Sequence, residues 1–184
     1  MPATRAIAGE VTMTGIARPI TLLLEGDGSV PNNPRLPVLH FAGAFAPGEG
    51  DLAVRFEQVF SANGWPAAWR NGIFDHHHFH STAHEALGIY AGTVTVRLGG
   101  ECGRDVVLAP GDVVVLPAGV AHRRIACVGR LGVVGAYPQG QSPDLCQPDP
   151  RRYAARAAAV ARVPMPIADP LCGAAGPMMS HWRA

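Results

Sequence analysis

The sequence predicts an all-β domain, a small sandwich or barrel with helical additions, and three observations carry that prediction. From Ile73 to Tyr137 short apolar runs are separated by turn signals. Within that span Val94, Val96 and Leu98 alternate with Thr93, Thr95 and Arg97. A period of two buries one face of a strand and wets the other. Gly92, Gly99-Gly100, Pro110-Gly111-Asp112 and Pro117-Ala118-Gly119 punctuate the run, placing glycine and proline where turns need special backbone angles.

The remaining elements follow in chain order. Residues 1–50 are rich in glycine and proline, with a strand expected at Ile20 to Glu25 and a looped arm through Pro31 to Pro37. Residues 51–72 hold a helix and a loop: Leu52, Arg55, Phe56 and Val59 have helical spacing, Asp51 can cap the start, and Asn63-Gly64 stops it. Trp65 and Trp69 read as packing residues of this region that can cover one end of a pocket. Residues 73–137 form the core barrel. Residues 138–184 supply an alanine-rich helix, Arg151 to Arg162, and a Pro/Gly-rich tail. With 184 residues, 48% of them hydrophobic, and no internal repeat, the chain reads as one domain spanning 1–184.

Five of the eight histidines lie between His76 and His84. His78 and His80 are two apart, so on an extended chain both imidazoles project from one face, and Glu85 returns an oxygen after a short turn. His122, beyond Gly111 and Pro117-Ala118-Gly119, adds an imidazole at the start of another strand. Three neutral nitrogens and one carboxylate suit a divalent transition metal and leave coordination positions open. An expression tag would be a uniform terminal run, whereas this cluster is internal and irregular. A metal-free surface cluster is the bland alternative.

Gly72, five residues, His78-x-His80, four residues, Glu85, six residues and Gly92 resemble the first motif of the cupin superfamily. Gly111, five residues, Pro117-x-Gly119, two residues and His122 resemble the second. The second motif usually ends in asparagine, where this chain has Ala126. Pro31-Asn32-Asn33-Pro34, Asn63-Gly64-Trp65-Pro66, His80 to Glu85 and Gly135-Ala136-Tyr137-Pro138 extend the likeness, over most of the chain, to the YjlB-like branch of bacterial cupins. The resemblance implies a single double-stranded β-helix, or jelly-roll, barrel and a homodimer. It also implies that His78, His80, Glu85 and His122 bind one metal, whether iron, manganese, nickel or zinc. It implies no particular reaction.

Strand parity nominates further residues. His76 shares the face of His78 and His80 and is expected to line the pocket, with His77 pointing away. The same argument points Arg124 inward from His122, where it would favour an anionic substrate; the alternative is a rim residue beyond a broken register. His84 and Tyr137 are candidate acid/base groups. Their plainer readings are a hydrogen-bond partner of a metal ligand for His84 and a core residue for Tyr137.

Composition excludes several classes. A net charge of +1 and scattered arginines argue against nucleic-acid binding. No apolar stretch is long enough for a membrane span or signal segment, which points to the cytoplasm. Four cysteines without a Cys-x-x-Cys pair read as free thiols. All fifteen basic residues are arginine, excluding Schiff-base lysine chemistry. Two classes of function remain: a metalloenzyme acting on a small polar or anionic metabolite, as a dioxygenase or as an isomerase or lyase, and a non-catalytic small-molecule receptor.

Overall fold

The structure is a computed structural model that describes residues 18–46, 48 and 50–182. The first seventeen residues of the N-terminal arm and the last two of the tail lie outside the described residues, so the expectations for them stop at the sequence.

The all-β prediction holds. Seven antiparallel strands follow in chain order: β1 (Ile20–Leu24), β2 (Asn33–Phe41), β3 (Ala67–Asn71), β4 (Glu85–Leu98), β5 (Arg104–Leu108), β6 (Val113–Leu116) and β7 (His122–Ala136). They pair in the order β1-β2-β6-β4-β7-β3, with β5 on β4, so the hydrogen-bonded path is open and not closed. Helix α1 (Leu52–Ala62) lies between β2 and β3, and α2 (Tyr153–Val160) and α3 (Pro177–His181) follow the sheet. Asp51 caps α1 as expected, accepting from the N–H groups of Ala53 and Val54. The four cysteines are free thiols. Among the described residues no helix is long and apolar enough to cross a membrane.

Alternation along the strands divides the core into two layers. Val114 and Leu116 of β6, Leu87 and Ile89 of β4 and Val133 of β7 share an inner-face cluster. Their neighbours Val113, Val115, Ala86, Val134 and Ala136 face the opposite way, against Phe56 and Phe60 of α1. That second layer is closed by the C-terminal segment through Leu171, Met178 and Trp182. The segment is pinned by polar contacts. Fully buried Asp169 accepts from the N–H groups of Leu171, Cys172 and Met178, and Trp182 Nε1 donates to the Pro37 carbonyl at 2.8 Å.

Two expectations needed correction. The stretch Pro31 to Pro37, read as a looped arm, runs from residue 33 onward as β2, because the ladder to β1 skips both prolines: it pairs Asn33 with Leu24 and then resumes at Val38. The segment 51–72, read as helix and loop, ends in the strand β3, whose five residues pair antiparallel with the far end of β7.

One carboxylate ties the turn between β5 and β6 to the end of β2. Asp112 accepts from Gly43 N at 2.8 Å and Ala109 N at 3.0 Å and meets His40 Nε2 at 3.2 Å. Burial raises its carboxyl pKa, but the hydrogen bonds from His40, Ala109 and Gly43 outweigh burial and leave it lowered. A depressed folded value makes this contribution complete above the unfolded pKa of about 3.9, and it is lost as the pH falls through the folded value. Asp112→Ala is expected to cost about 2 kcal/mol or more, seen as a fall in Tm of about 4–8 °C at pH 7. The deficit should shrink in acid; a pH-independent deficit would assign the effect to packing.

Candidate metal centre

The four nominated donors arrive from three places in the fold. Glu85 opens β4 and shares the parity of Leu87 and Ile89, so its carboxylate faces the inner layer. His122 opens β7, and the main chain of His78 pairs with it in an isolated bridge. His80 follows two residues on, and its Nδ1 donates to the main-chain carbonyl of Asp144. That bond fixes the tautomer and presents Nε2 to the centre. The Asp144 carboxylate is itself fastened by Ser81 N, Ser81 Oγ and Arg156.

The donors converge. Glu85 Oε2 lies 3.5 Å from His80 Nε2 and 3.4 Å from His122 Nε2, and the His78 and His122 ring centroids are 4.1 Å apart. Glu85 is 2% exposed and His122 3% exposed. Glu85 Oε2 and His78 Nδ1 are buried without a hydrogen-bond partner. Among the described residues no three His, Cys, Asp or Glu donors are closed into a ready metal cage. The separations of 3.4 and 3.5 Å are long for a hydrogen bond and close to the roughly 3.4 Å between neighbouring ligands on arms of about 2.1 Å around a tetrahedral metal.

Electrostatics hold the carboxylate charged and two of the three imidazoles, His78 and His122, neutral. Burial pushes the Glu85 carboxyl up, but His80, His122 and the Tyr137 hydroxyl overcome it and bring the pKa to about 2. Burial, aided by the charge His122 would carry, brings His78 to about 3. Burial also lowers His122. For His80 burial acts downward, but Glu85 and the Asp144 carbonyl win and raise it.

The donors stand at one end of a cavity of about 170 Å³, whose walls include Trp69, Ile73, Phe74, Leu87 and Tyr137. The Tyr137 hydroxyl accepts from Trp69 Nε1 at 3.0 Å and hydrogen-bonds to Glu85. Burial and the Glu85 charge raise the Tyr137 pKa, so the hydroxyl stays protonated and orients the carboxylate.

Three nominated residues stand elsewhere. His76 was placed inward by parity, but a bend at Asp75 and His76 breaks the alternation. Its ring is half-exposed, stacked on Phe74 with centroids 5.0 Å apart, and is not among the cavity-lining residues. Arg124 is half-buried and also absent from the lining. The ladder from His122 to Arg124 is unbroken, Leu98 pairing with His122 and Val96 with Arg124, and the register slips only beyond Arg124; the residue keeps the parity of His122 without being one of the cavity's lining residues. His84 is 1% exposed and faces the outer layer, where Nδ1 accepts from Ala118 N and the ring packs on Trp182. Burial lowers its pKa to about 4. That orientation was readable: a residue preceding an inward Glu85 points outward. Trp69, read as able to cover one end of a pocket, does line the cavity; Asn71 and Ile73 were missed as lining residues, since a five-residue edge strand and the loop after it give little periodic signal.

An all-β fold with three imidazoles and a carboxylate converging on its inner face has the residue plan of a cupin. Residues 70–129 match the family described as the cupin domain. The chain is 30% identical over 162 residues to protein YjlB of Bacillus subtilis (strain 168), covering 88% of this chain and 95% of YjlB. It therefore belongs to the cupins and, within them, to the YjlB family. Two solved structures also align. A DUF861 family protein from Thermotoga maritima has 22% identity over 42% of this chain and 83% of its own, with a TM-score of 0.31. A cupin 2 domain-containing protein from Halorhodospira halophila has 17% identity over 88% of this chain and 93% of its own, with a TM-score of 0.31.

Proposed function

We propose that this protein is a cytoplasmic, mononuclear metal-dependent enzyme acting on a small metabolite, with oxygenase chemistry ahead of isomerase or lyase chemistry. Support comes chiefly from one observation: buried Glu85 Oε2 lies 3.4 and 3.5 Å from two imidazole nitrogens, without a hydrogen bond. His78, His80, Glu85 and His122 would hold one divalent ion such as iron, manganese, nickel or zinc. When bound, the ion supplies a Lewis-acid or redox centre with positions left for an oxygen of the substrate.

The chain's own residues do the rest. Asp144 and Tyr137 fix His80 and Glu85, so the donor set is preorganised. Trp69, Ile73 and Leu87 exclude water from one side of the cavity. The order of the reactions rests on what the lining lacks. An isomerase or lyase needs a base that moves a proton on the substrate. Apart from the four donors, the only titratable group lining the cavity is Tyr137, whose hydroxyl is engaged by Trp69 and Glu85. His84 faces the other layer. The same absence keeps the receptor reading as runner-up. The homodimer rests on the family resemblance alone.

The test is elemental analysis of tag-free protein, followed by O₂ uptake over a metabolite panel with iron, manganese, nickel or zinc loaded in turn. One metal per chain and O₂ consumption with a bound metabolite are expected. Iron-loaded protein that never consumes O₂ removes the oxygenase reading, and anaerobic turnover installs the isomerase or lyase. Tight ligand binding with no turnover under any metal installs the receptor.

A further inference from the structure

We infer that the cavity over the imidazole cluster takes a compact, uncharged, single-ring molecule carrying one or two oxygens, in preference to a carboxylate or a polyol. This deepens the metal-centre reading and rests on it for the direction in which the oxygens point. Size is the first argument. A cavity of about 170 Å³ is close to the roughly 150 Å³ of an apolar cavity that holds benzene.

Wall chemistry is the second. Away from the four donors, Trp69, Ile73, Phe74, Leu87 and Tyr137 supply the large side chains of the lining, three of the five being aromatic. The polar ends of two of those rings are consumed, since Trp69 Nε1 donates to the Tyr137 hydroxyl and that hydroxyl bonds to Glu85. What remains for a ligand is ring face and edge, suited to stacked or edge-on contact with another ring. Phe74 is 48% exposed, leaving part of its ring free beside the His76 ring that stacks on it.

The third argument is the absence of partners for other ligands. No arginine is among the cavity-lining residues and the chain has no lysine, so a carboxylate would have the metal as its one positive partner, with no side chain to grip it bidentately or to offset a second negative charge. Asn71 is the one amide in the lining, and its oxygen already accepts from Gly72 N at 2.9 Å. A polyol would therefore lose most of its hydrogen bonds to water, at on the order of tenfold in affinity per buried hydroxyl left unpaired.

Calorimetric titration of the metal-replete protein with p-cresol, malate and xylose tests this. We expect p-cresol to bind at least about tenfold tighter than either of the others. Phe74→Ala, at a half-exposed position that leaves the fold intact, should weaken p-cresol about fivefold without lowering the metal content. Malate or xylose binding as tightly as p-cresol overturns the inference. So does undetectable p-cresol binding, or an unchanged p-cresol affinity in Phe74→Ala. Elemental analysis separates the two readings. A chain without metal that still prefers p-cresol fails only the metal centre; a metal-replete chain that prefers malate fails only the ligand class.

Discussion

His80→Ala is expected to lose most of the bound metal, while His77→Ala keeps it. The two residues are three apart on one short segment, yet they face different surroundings. His80 is tied through Nδ1 to the Asp144 carbonyl and turns Nε2 toward Glu85. His77 turns toward the Glu101 side, its Nε2 3.7 Å from Glu101 Oε1. Partners that merely orient a ligand are worth about 10–100-fold in metal affinity. Removal of the ligand itself should exceed that, and elemental analysis after dialysis should show far less than one metal per chain. The substitution also deprives the buried Glu85 carboxylate of one of its two neighbouring imidazoles, which destabilises by up to about 3–5 kcal/mol where a buried pair is broken. Glu85→Gln therefore accompanies it: this variant removes the anionic oxygen while keeping the volume, and should lose metal with a smaller fall in Tm. Full metal content in both variants would sink the four-residue site. Loss from His77→Ala alone would move it to the other side of the segment.

Much of this site was legible because cupin-like spacing and strand parity describe the same geometry twice. His78 and His80 fall on one face by period two, and Glu85, returning after a turn, keeps the parity of Leu87 and Ile89 into the inner layer. The alternation of Val94, Val96 and Leu98 likewise marked the buried face of β4. Parity fails where the backbone leaves the extended form, and His76 sits in such a bend, with no glycine or proline at the residue itself to announce it. Arg124 keeps its parity with His122, but parity fixes only the face of a residue and not whether its side chain reaches the cavity. Trp69 reads as able to cover a pocket, but how it gets there was hidden for another reason. Trp69 reaches the site only because β3 pairs with the far end of β7, a contact between segments more than sixty residues apart that no local pattern encodes. The C-terminal segment is similar: its proline- and glycine-rich sequence reads as a tail, and only Asp169 and Trp182, working through distant main-chain groups, make it the cover of the outer layer.

That distant pairing supplies the second large effect, expected in Gly135→Ala. Trp69 and Gly135 are partners across β3 and β7, and a β-carbon at Gly135 would overlap the Trp69 indole at Cε2 and Cζ2. The indole cannot stay where it is. Overpacking of this kind costs about 1–3 kcal/mol, or a fall in Tm of roughly 2–12 °C for a chain of this size. The consequence reaches the site because the displaced ring carries the Nε1 donor to Tyr137, and Tyr137 in turn holds Glu85. Metal affinity should therefore fall along with stability, although residue 135 lines no part of the cavity. Gly72→Ala is the matched control, since a β-carbon there would rest at an ordinary 3.7 Å from Leu131 and should leave Tm unchanged. Trp69→Phe in the Gly135→Ala background should recover part of the lost Tm by shortening the ring, but not the metal affinity, because phenylalanine cannot donate to Tyr137. Recovery of both would show that the indole fills space only. Recovery of Tm alone would show that the chain of contacts from Trp69 through Tyr137 to Glu85 holds the metal ligand in place.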